Sequence, residues 1–170
     1  DDKYGKYEYT EEKESVYEHC IKAIEKSLDF GKNGFPKIGT GDWNDSLNKV
    51  GHKGEGESIW LGFFLYDILT RWEKILEIKD ENEKIEKYRE IARKLKRSLN
   101  TEAWDGNWYK RAITDDGKVI GSNKNKEGKI DSIAQSWAVI SEAGENDKKY
   151  LALDSAKKYL IDEENKIIKL

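Results

Sequence analysis

Apolar residues recur at helical spacing along much of the chain, and the first two such stretches differ in width. A helix is predicted after Ser15, where Ser15 and Glu18 have the spacing of a capping box, and it is expected to end near Gly31. The second predicted helix runs from about Glu57 to Ile78 and is apolar on almost every side at its N-terminal end. A helix of that kind is expected to be covered on both faces.

Three further helices are predicted in the rest of the chain. The third follows Asp80 and carries only a narrow apolar stripe as far as Leu99, which is typical of an outer, half-exposed helix. Residues 104–122 predict a short β-hairpin, with Asp115 to Gly117 as its turn. The fourth helix is predicted over residues 130–143, and the fifth from Asn146 to Leu160. The side chains of the fourth helix expected to face inward are Ile133, Trp137 and Ile140.

Wide, buried helices that alternate with narrow, amphipathic ones favour a double ring of helices. A ring of six helical hairpins needs about twelve helices, and the patterns supply about five. The sequence therefore predicts an all-α fold. It would be one domain fragment over residues 1–170, forming part of an (α/α)6 toroid with a short β-hairpin insertion.

Composition narrows the classes of partner. The chain has 31 Lys and Arg against 34 Asp and Glu, a net charge of −3, which gives no electrostatic reason to expect a nucleic acid or an anionic membrane surface as partner. No apolar run reaches the ~18 residues of a membrane-spanning helix. Cys20 is the single cysteine, which excludes an intramolecular disulfide and fits a reducing, cytoplasmic location. The chain contains no Met, so we expect it to be a piece of a longer protein.

The most distinctive stretch is the Gly-rich segment between the first two helices. Asp42 and Asp45 flank Trp43 and Asn44 there. An indole ring covers the apolar face of a pyranose, carboxylates and amides bind its hydroxyl groups, and a carboxylic acid can protonate a leaving glycosidic oxygen. The same residues could instead form Asx turns or hold a cation, although an EF-hand needs more oxygen ligands at fixed spacing. The chemistry alone leaves these alternatives open.

Four separated blocks of the chain resemble one family. They resemble the glycoside phosphorylases of glycoside hydrolase family 94, which include cellobiose, cellodextrin and chitobiose phosphorylases and the phosphorylase-like domain of cyclic β-1,2-glucan synthases. One departure is Ser46-Leu47, where relatives often carry Gly-Met. The last two blocks are most similar to the β-1,2-glucan branch. The four blocks cover residues 16–20, 39–61, 104–112 and 130–141.

The resemblance implies roles for particular residues. Asp45 matches the general acid, which must be protonated to act, and Trp43 matches the aromatic side chain that lines the subsite of the transferred sugar. Asp42 could bind substrate or shape the loop. Gln135 could line the cleft or belong to a capping box that begins at Ser132. No metal ligand is implied. The residues implied to bind substrate or line the cleft are Trp43, Asp42, Arg111, Asp131 and Gln135.

The activity implied by the resemblance is inverting phosphorolysis. A β-linked oligosaccharide would be cleaved by inorganic phosphate, as co-substrate and without a cofactor, to give a sugar 1-phosphate. The phosphate-binding elements of the family are expected beyond Leu170, so the isolated chain is expected to be weak or inactive. A homodimer is an expectation for the full-length protein only. Two alternatives stay open, an inverting glycoside hydrolase on the same barrel and a non-catalytic helical module that binds glycans.

Overall fold

The computed structural model describes residues 11–169, so residues 1–10 and residue 170 of the expected domain lie outside it. Within the described residues the chain is mostly helical, with five α-helices and five strands of two residues each. The helices are α1 Val16–Lys26, α2 Ile59–Ile78, α3 Asn82–Thr101, α4 Ser132–Ile140 and α5 Asn146–Leu160. The strands are β1 Glu57–Ser58, β2 Ala112–Ile113, β3 Val119–Ile120, β4 Ile161–Asp162 and β5 Ile167–Ile168. None of these helices is both long and apolar enough to cross a lipid bilayer.

The capping box of α1 is confirmed, but the helix is shorter than predicted. The hydroxyl of Ser15 accepts a hydrogen bond from the backbone N–H of Glu18, and the Glu18 carboxylate accepts one from the N–H of Ser15. The helix ends at Lys26 and not near Gly31. The reason is that Phe30 forms an antiparallel bridge with Pro36, which takes the backbone out of helical geometry.

Helices α2 and α3 form the centre of the core. Gly62 allows their close approach, because an added Cβ would lie 3.2 Å from Leu99 and 3.4 Å from Leu95. One side of α2 remains open, since Phe64 and Ile68 line a groove of about 260 Å³, and Ile78 is 80% exposed. Within residues 11–169, the expected cover on both faces of α2 is therefore absent along this groove. The predicted stripe of α3 is confirmed, since its residues Ile85, Tyr88, Ala92, Leu95 and Leu99 are all buried.

The buried face of α4 differs from the prediction. Ala134, Gln135 and Ala138 are its buried residues, and the helix packs through them against α2 and α5. Of the three residues predicted to face inward, Trp137 is half-buried and packs against the core through ring contacts with Trp60 and Phe64 of α2, Ile133 is half-buried, and Ile140 is 52% exposed. Small side chains at the contact let α4 lie close to its neighbours.

The fold is not all-α, because the predicted hairpin belongs to a small sheet. Strands β2 and β3 pair around the turn at Asp115 to Gly117, as predicted, and β1 adds a third antiparallel strand in the order β1-β2-β3. A second antiparallel pair joins β4 and β5. Strand β1 is formed by the last residues of the Gly-rich segment, so the sheet fixes the end of that segment directly before α2. The arc of a helical toroid stays a prediction.

Candidate active site

The Gly-rich segment is a loop that is closed at its base. The N–H of Ile38 donates to the carbonyl oxygen of Gly56, and the N–H of Ser58 donates to the carbonyl oxygen of Pro36. The two ends of the loop therefore lie side by side. Glycine is required at position 56, because a Cβ there would be 2.3 Å from the carbonyl oxygen of Val50.

The tip of the β2–β3 hairpin fixes the second half of this loop. The Asp115 carboxylate, 4% exposed, accepts hydrogen bonds of 3.0, 2.9 and 3.0 Å from the backbone N–H groups of Lys53, Glu55 and Gly56. Burial acts to raise the pKa of Asp115, but these three hydrogen bonds outweigh it and hold the pKa below its usual range. The sequence predicted Asp115 only as a turn residue, because no local pattern shows partners about sixty positions away.

Asp42 is a buried anion that is paired with a buried cation. Its carboxylate is 0% exposed and receives both terminal nitrogens of Arg111, Nη1 at 2.7 Å from Oδ2 and Nη2 at 2.8 Å from Oδ1. The hydroxyl of Ser58 and the N–H of Asn44 donate to the same carboxylate, at 2.8 and 3.0 Å. Burial acts to raise the pKa of Asp42, but the hydrogen bond from Arg111 and the further donors lower it overall. Asp42 thus stabilises the loop, and the bond from Asn44 is the Asx turn that the sequence offered as an alternative.

Trp43 and Asp45 point the other way, toward solvent. The indole of Trp43 is 65% exposed. Asp45 is exposed at the first position of a single 3₁₀ turn, Asp45–Leu47, which Asn44 caps through a 3.0 Å hydrogen bond from the N–H of Ser46. Within residues 11–169 the Asp45 carboxylate has no hydrogen-bond or ion-pair partner, so it is available to a ligand. Of these four consecutive residues, Asp42 and Asn44 hold the loop through hydrogen bonds, whereas Trp43 and Asp45 are exposed.

Trp43 forms one wall of a cleft between the loop and the N-terminus of α4. The cleft has a volume of about 210 Å³, and the buried Arg111 lies at its base. Asp45 follows on the same loop but is not among the residues that line the cleft. The lining residues are Trp43, Asn44, Arg111, Asp131, Ser132, Ile133, Ser136 and Trp137.

Gln135 lies behind the cleft. Its side chain is 0% exposed, and its amide makes paired 2.8 Å hydrogen bonds with the backbone N–H and carbonyl of Tyr109. The amide also donates to the carbonyl oxygen of Asp131 at 2.9 Å. Gln135 therefore joins α4 to the segment before β2. The capping-box interpretation of Ser132 and Gln135 is wrong, because the N-cap of α4 is Asp131, whose Oδ1 accepts from the N–H of Ile133.

The cleft offers an aromatic face, a partly exposed carboxylate, two serine hydroxyl groups and, beside it, a second carboxylate without a partner. These are groups that can stack on a sugar ring and bind its hydroxyl groups. In the part of the chain that the structure describes, no group of three or more His, Cys, Asp or Glu side chains is arranged to hold a metal ion.

Comparison with known proteins identifies related sequences. The cyclic beta-(1,2)-glucan synthase NdvB of Rhizobium meliloti is 37% identical over 170 residues, which are 99% of this chain and 6% of that protein. Solabiose phosphorylase of Paenibacillus borealis is 37% identical over 137 residues, 79% of this chain and 18% of the relative. N,N'-diacetylchitobiose phosphorylase of Vibrio furnissii is 32% identical over 149 residues, 86% of this chain and 18% of the relative.

The chain thus spans between 6% and 18% of the length of these curated relatives. The family model of the glycosyl hydrolase 94 superfamily, catalytic domain, matches residues 3–170. That match extends over nearly all of the sequence and includes the loop, the hairpin and α4. The chain therefore belongs to the glycosyl hydrolase 94 family.

Proposed function

We propose that this chain is the part of an inverting β-glucoside phosphorylase that carries the general acid, Asp45, and the sugar-stacking residue, Trp43. The observation that carries the proposal is the contrast within one loop. Asp42 is buried and paired with Arg111, whereas Trp43 and Asp45 are exposed on the side of the loop that faces outward. Of the carboxylates of Asp42 and Asp45, the exposed one of Asp45 is therefore proposed to donate the proton.

The mechanism needs one proton donor and one nucleophile. Asp45 in its acid form donates its proton to the glycosidic oxygen as the bond from that oxygen to the anomeric carbon breaks. An oxygen of hydrogen phosphate bonds to the anomeric carbon from the opposite face, so a β-glucoside gives an α-sugar 1-phosphate. The proton that hydrogen phosphate loses balances the one that Asp45 gave to the leaving sugar. Because phosphate is already an anion, no second carboxylate is required to activate water.

The other predicted residues are proposed to act behind the substrate. Asp42 and Arg111 would hold the loop, since their side chains are 0% and 1% exposed. Gln135 would hold the N-terminus of α4 through Tyr109. Trp43 would present its indole face to the sugar ring, which a 65% exposed side chain at the cleft wall allows. We assign no residue of this chain to phosphate or to a metal.

The relatives support phosphate as the co-substrate and a β-linked sugar as the substrate. Two of them are named as phosphorylases, of solabiose and of N,N'-diacetylchitobiose, and the third is named as a synthase of cyclic β-(1,2)-glucan. The matches cover 79% to 99% of this chain but only 6% to 18% of these relatives, so the assignment concerns one part of a larger protein.

The exposed apolar surface supports the arc of a helical barrel. One open groove follows α2 at Phe64 and Ile68, and another of about 580 Å³ lies between α4, α5 and the β4–β5 pair, where Ile168 is 64% exposed. The first groove lies beside α2, near the start of the described chain, and the second lies beside α4 and α5, near its end. Further helices on each side would cover them and continue the alternation, as a toroid requires.

The test is phosphate release from α-glucose 1-phosphate, with glucose and with β-1,2- and β-1,4-gluco-oligosaccharides as acceptors. It should be run on the chain and on a longer protein that contains it. Asp45→Asn should abolish release with little effect on folding, because the side chain is exposed. Asp116→Asn, which changes an exposed carboxylate of the hairpin, is the matched control and should leave release unchanged.

The alternatives give different results in the same assay. Cleavage of the oligosaccharide without phosphate would indicate an inverting hydrolase. Sugar binding that Asp45→Asn leaves unaffected, without any cleavage, would indicate a glycan-binding module. Either outcome would contradict the phosphorylase proposal.

A further inference from the structure

The cleft contains the carboxylate of Asp131, which the proposed mechanism does not use. Asp131 is the N-cap of α4, it lines the same cleft as Trp43, and its side chain is 27% exposed. It is the one carboxylate among the residues that line this cleft. Its exposure contrasts with that of Asp42, which no ligand in the cleft could touch.

The surroundings of Asp131 hold its carboxylate in one orientation. Oδ1 accepts a 2.9 Å hydrogen bond from the N–H of Ile133, the N-cap interaction of α4. Oδ2 lies 3.4 Å from Nε of Arg111. That nitrogen is buried, and within the described residues it has no hydrogen-bond partner. The Arg111 guanidinium, which is already paired with Asp42, therefore attracts Oδ2 of Asp131 as well, and Oδ2 accepts no hydrogen bond within the described residues.

The charges around Asp131 favour a neutral hydroxyl group as the ligand. Arg111 supplies one positive charge against the two carboxylates of Asp42 and Asp131, which leaves this wall of the cleft with an excess negative charge. A phosphate group would be repelled there. A sugar hydroxyl would instead donate a charge-assisted hydrogen bond to Oδ2 while the ring stacks on Trp43.

We propose that Asp131 binds a hydroxyl group of the sugar that stacks on Trp43, and that it determines which hydroxyl pattern the cleft accepts. The inference rests on the proposed function, because it assumes that the cleft holds a sugar. Preorganisation by Ile133 and Arg111 means that little side-chain ordering is needed when the sugar binds.

The test is a titration of the ¹⁵N-labelled chain with D-glucose, followed by the indole N–H signal of Trp43. Asp131→Asn should weaken glucose binding about tenfold, because a neutral amide replaces the charged acceptor. Asn is as good an N-cap as Asp, and Arg111 keeps its ion pair with Asp42, so the midpoint of thermal unfolding should fall by no more than about 2–4 °C. Asp131→Ser is a second capping variant that should lose binding in the same way, and Asp116→Asn should bind glucose as the unchanged chain does.

Monodeoxy glucoses identify the contact itself. The analogue that lacks the bound hydroxyl should bind the unchanged chain about tenfold more weakly than glucose does, yet bind the unchanged chain and Asp131→Asn equally. Equal glucose affinity of the unchanged chain and both Asp131 variants would overturn this inference alone. A stronger response of the unchanged chain to inorganic phosphate than to glucose would overturn the hydroxyl assignment. Failure of the unchanged chain to bind any sugar would overturn both this inference and the sugar cleft on which it rests.

Discussion

Replacing Asp42 with Asn should lower the free energy of unfolding by about 3–5 kcal/mol, the usual loss when one partner of a buried ion pair is removed. The carboxylate is 0% exposed and Arg111 is 1% exposed, so water cannot solvate the cation that remains. An amide retains one acceptor oxygen for the N–H of Asn44. Its NH₂ group would face Nη1 of Arg111, 2.7 Å from the present Oδ2, and donor would then oppose donor.

The assay is urea unfolding followed by circular dichroism, with the midpoint of thermal unfolding as a second measure. For a chain of this size the expected loss corresponds to a fall of about 6–20 °C in that midpoint. Asp116→Asn removes an ion pair to Lys53 in which both side chains are more than half exposed, so no measurable loss is expected there. Equal stability of the Asp42 and Asp116 variants would refute the reasoning.

The pH dependence of the same variant gives an independent check. The pKa of Asp42 is lower in the folded chain than its unfolded value of about 3.9. The ion pair therefore stabilises the fold fully above that value, and its contribution is lost as the pH falls through the folded pKa. The unchanged chain should lose stability below about pH 4 more steeply than Asp42→Asn does. A double variant with Arg111→Met should be less destabilised than the sum of the single changes, because it leaves no unpaired charge.

Three further changes test the contacts that position the cleft. Gly56→Ala should cost about 1–3 kcal/mol of unfolding free energy in a urea titration, because its Cβ would meet a backbone carbonyl oxygen at 2.3 Å. Asp115→Asn should speed hydrogen exchange of the backbone amides of Lys53, Glu55 and Gly56, which donate to this carboxylate. Because the pKa of Asp115 is lowered in the folded chain, the unchanged chain should lose the protection of these amides only in acid, where the carboxylate becomes protonated. Gln135→Ala should cost about 2–4 kcal/mol in urea unfolding, because the N–H and carbonyl of Tyr109 would both be buried without partners. Unchanged stability or exchange in any of these variants would show that the corresponding contact does not hold the site.

Most helices could be predicted from the sequence because their signals are local. The periodicity of α3 and the start of α5 at Asn146 follow from residues within one or two turns, and both are confirmed. The C-terminus of α1 was wrong because the bridge from Phe30 to Pro36 overrides local helical tendency. The inward position of Ile140 in α4 was wrong because hydrophobicity was taken to indicate burial, whereas close packing there selects Ala134 and Ala138.

The site was less predictable because its contacts join positions far apart in the sequence. Asp42 meets Arg111 across 69 positions, and Asp115 meets Gly56 across 59. No spacing rule relates such residues, and a single sequence does not show which charged side chains neutralise each other inside the fold. The resemblance implied roles for Trp43 and Asp45 but left open whether Asp42 binds substrate or shapes the loop, so the separation of buried from outward-facing residues comes from the structure.

That separation bears directly on the assignment of the acid. If Asp42 were the proton donor, it would have to exist as the neutral acid, but two nitrogens of Arg111 and two further donors all stabilise its anion. Asp45, three positions later, has none of these partners within residues 11–169 and lies on the exposed side of the same turn. The buried ion pair thus fixes the loop with charge that is already neutralised, and in the proposed mechanism the proton comes from Asp45, the carboxylate that has no partner among the described residues.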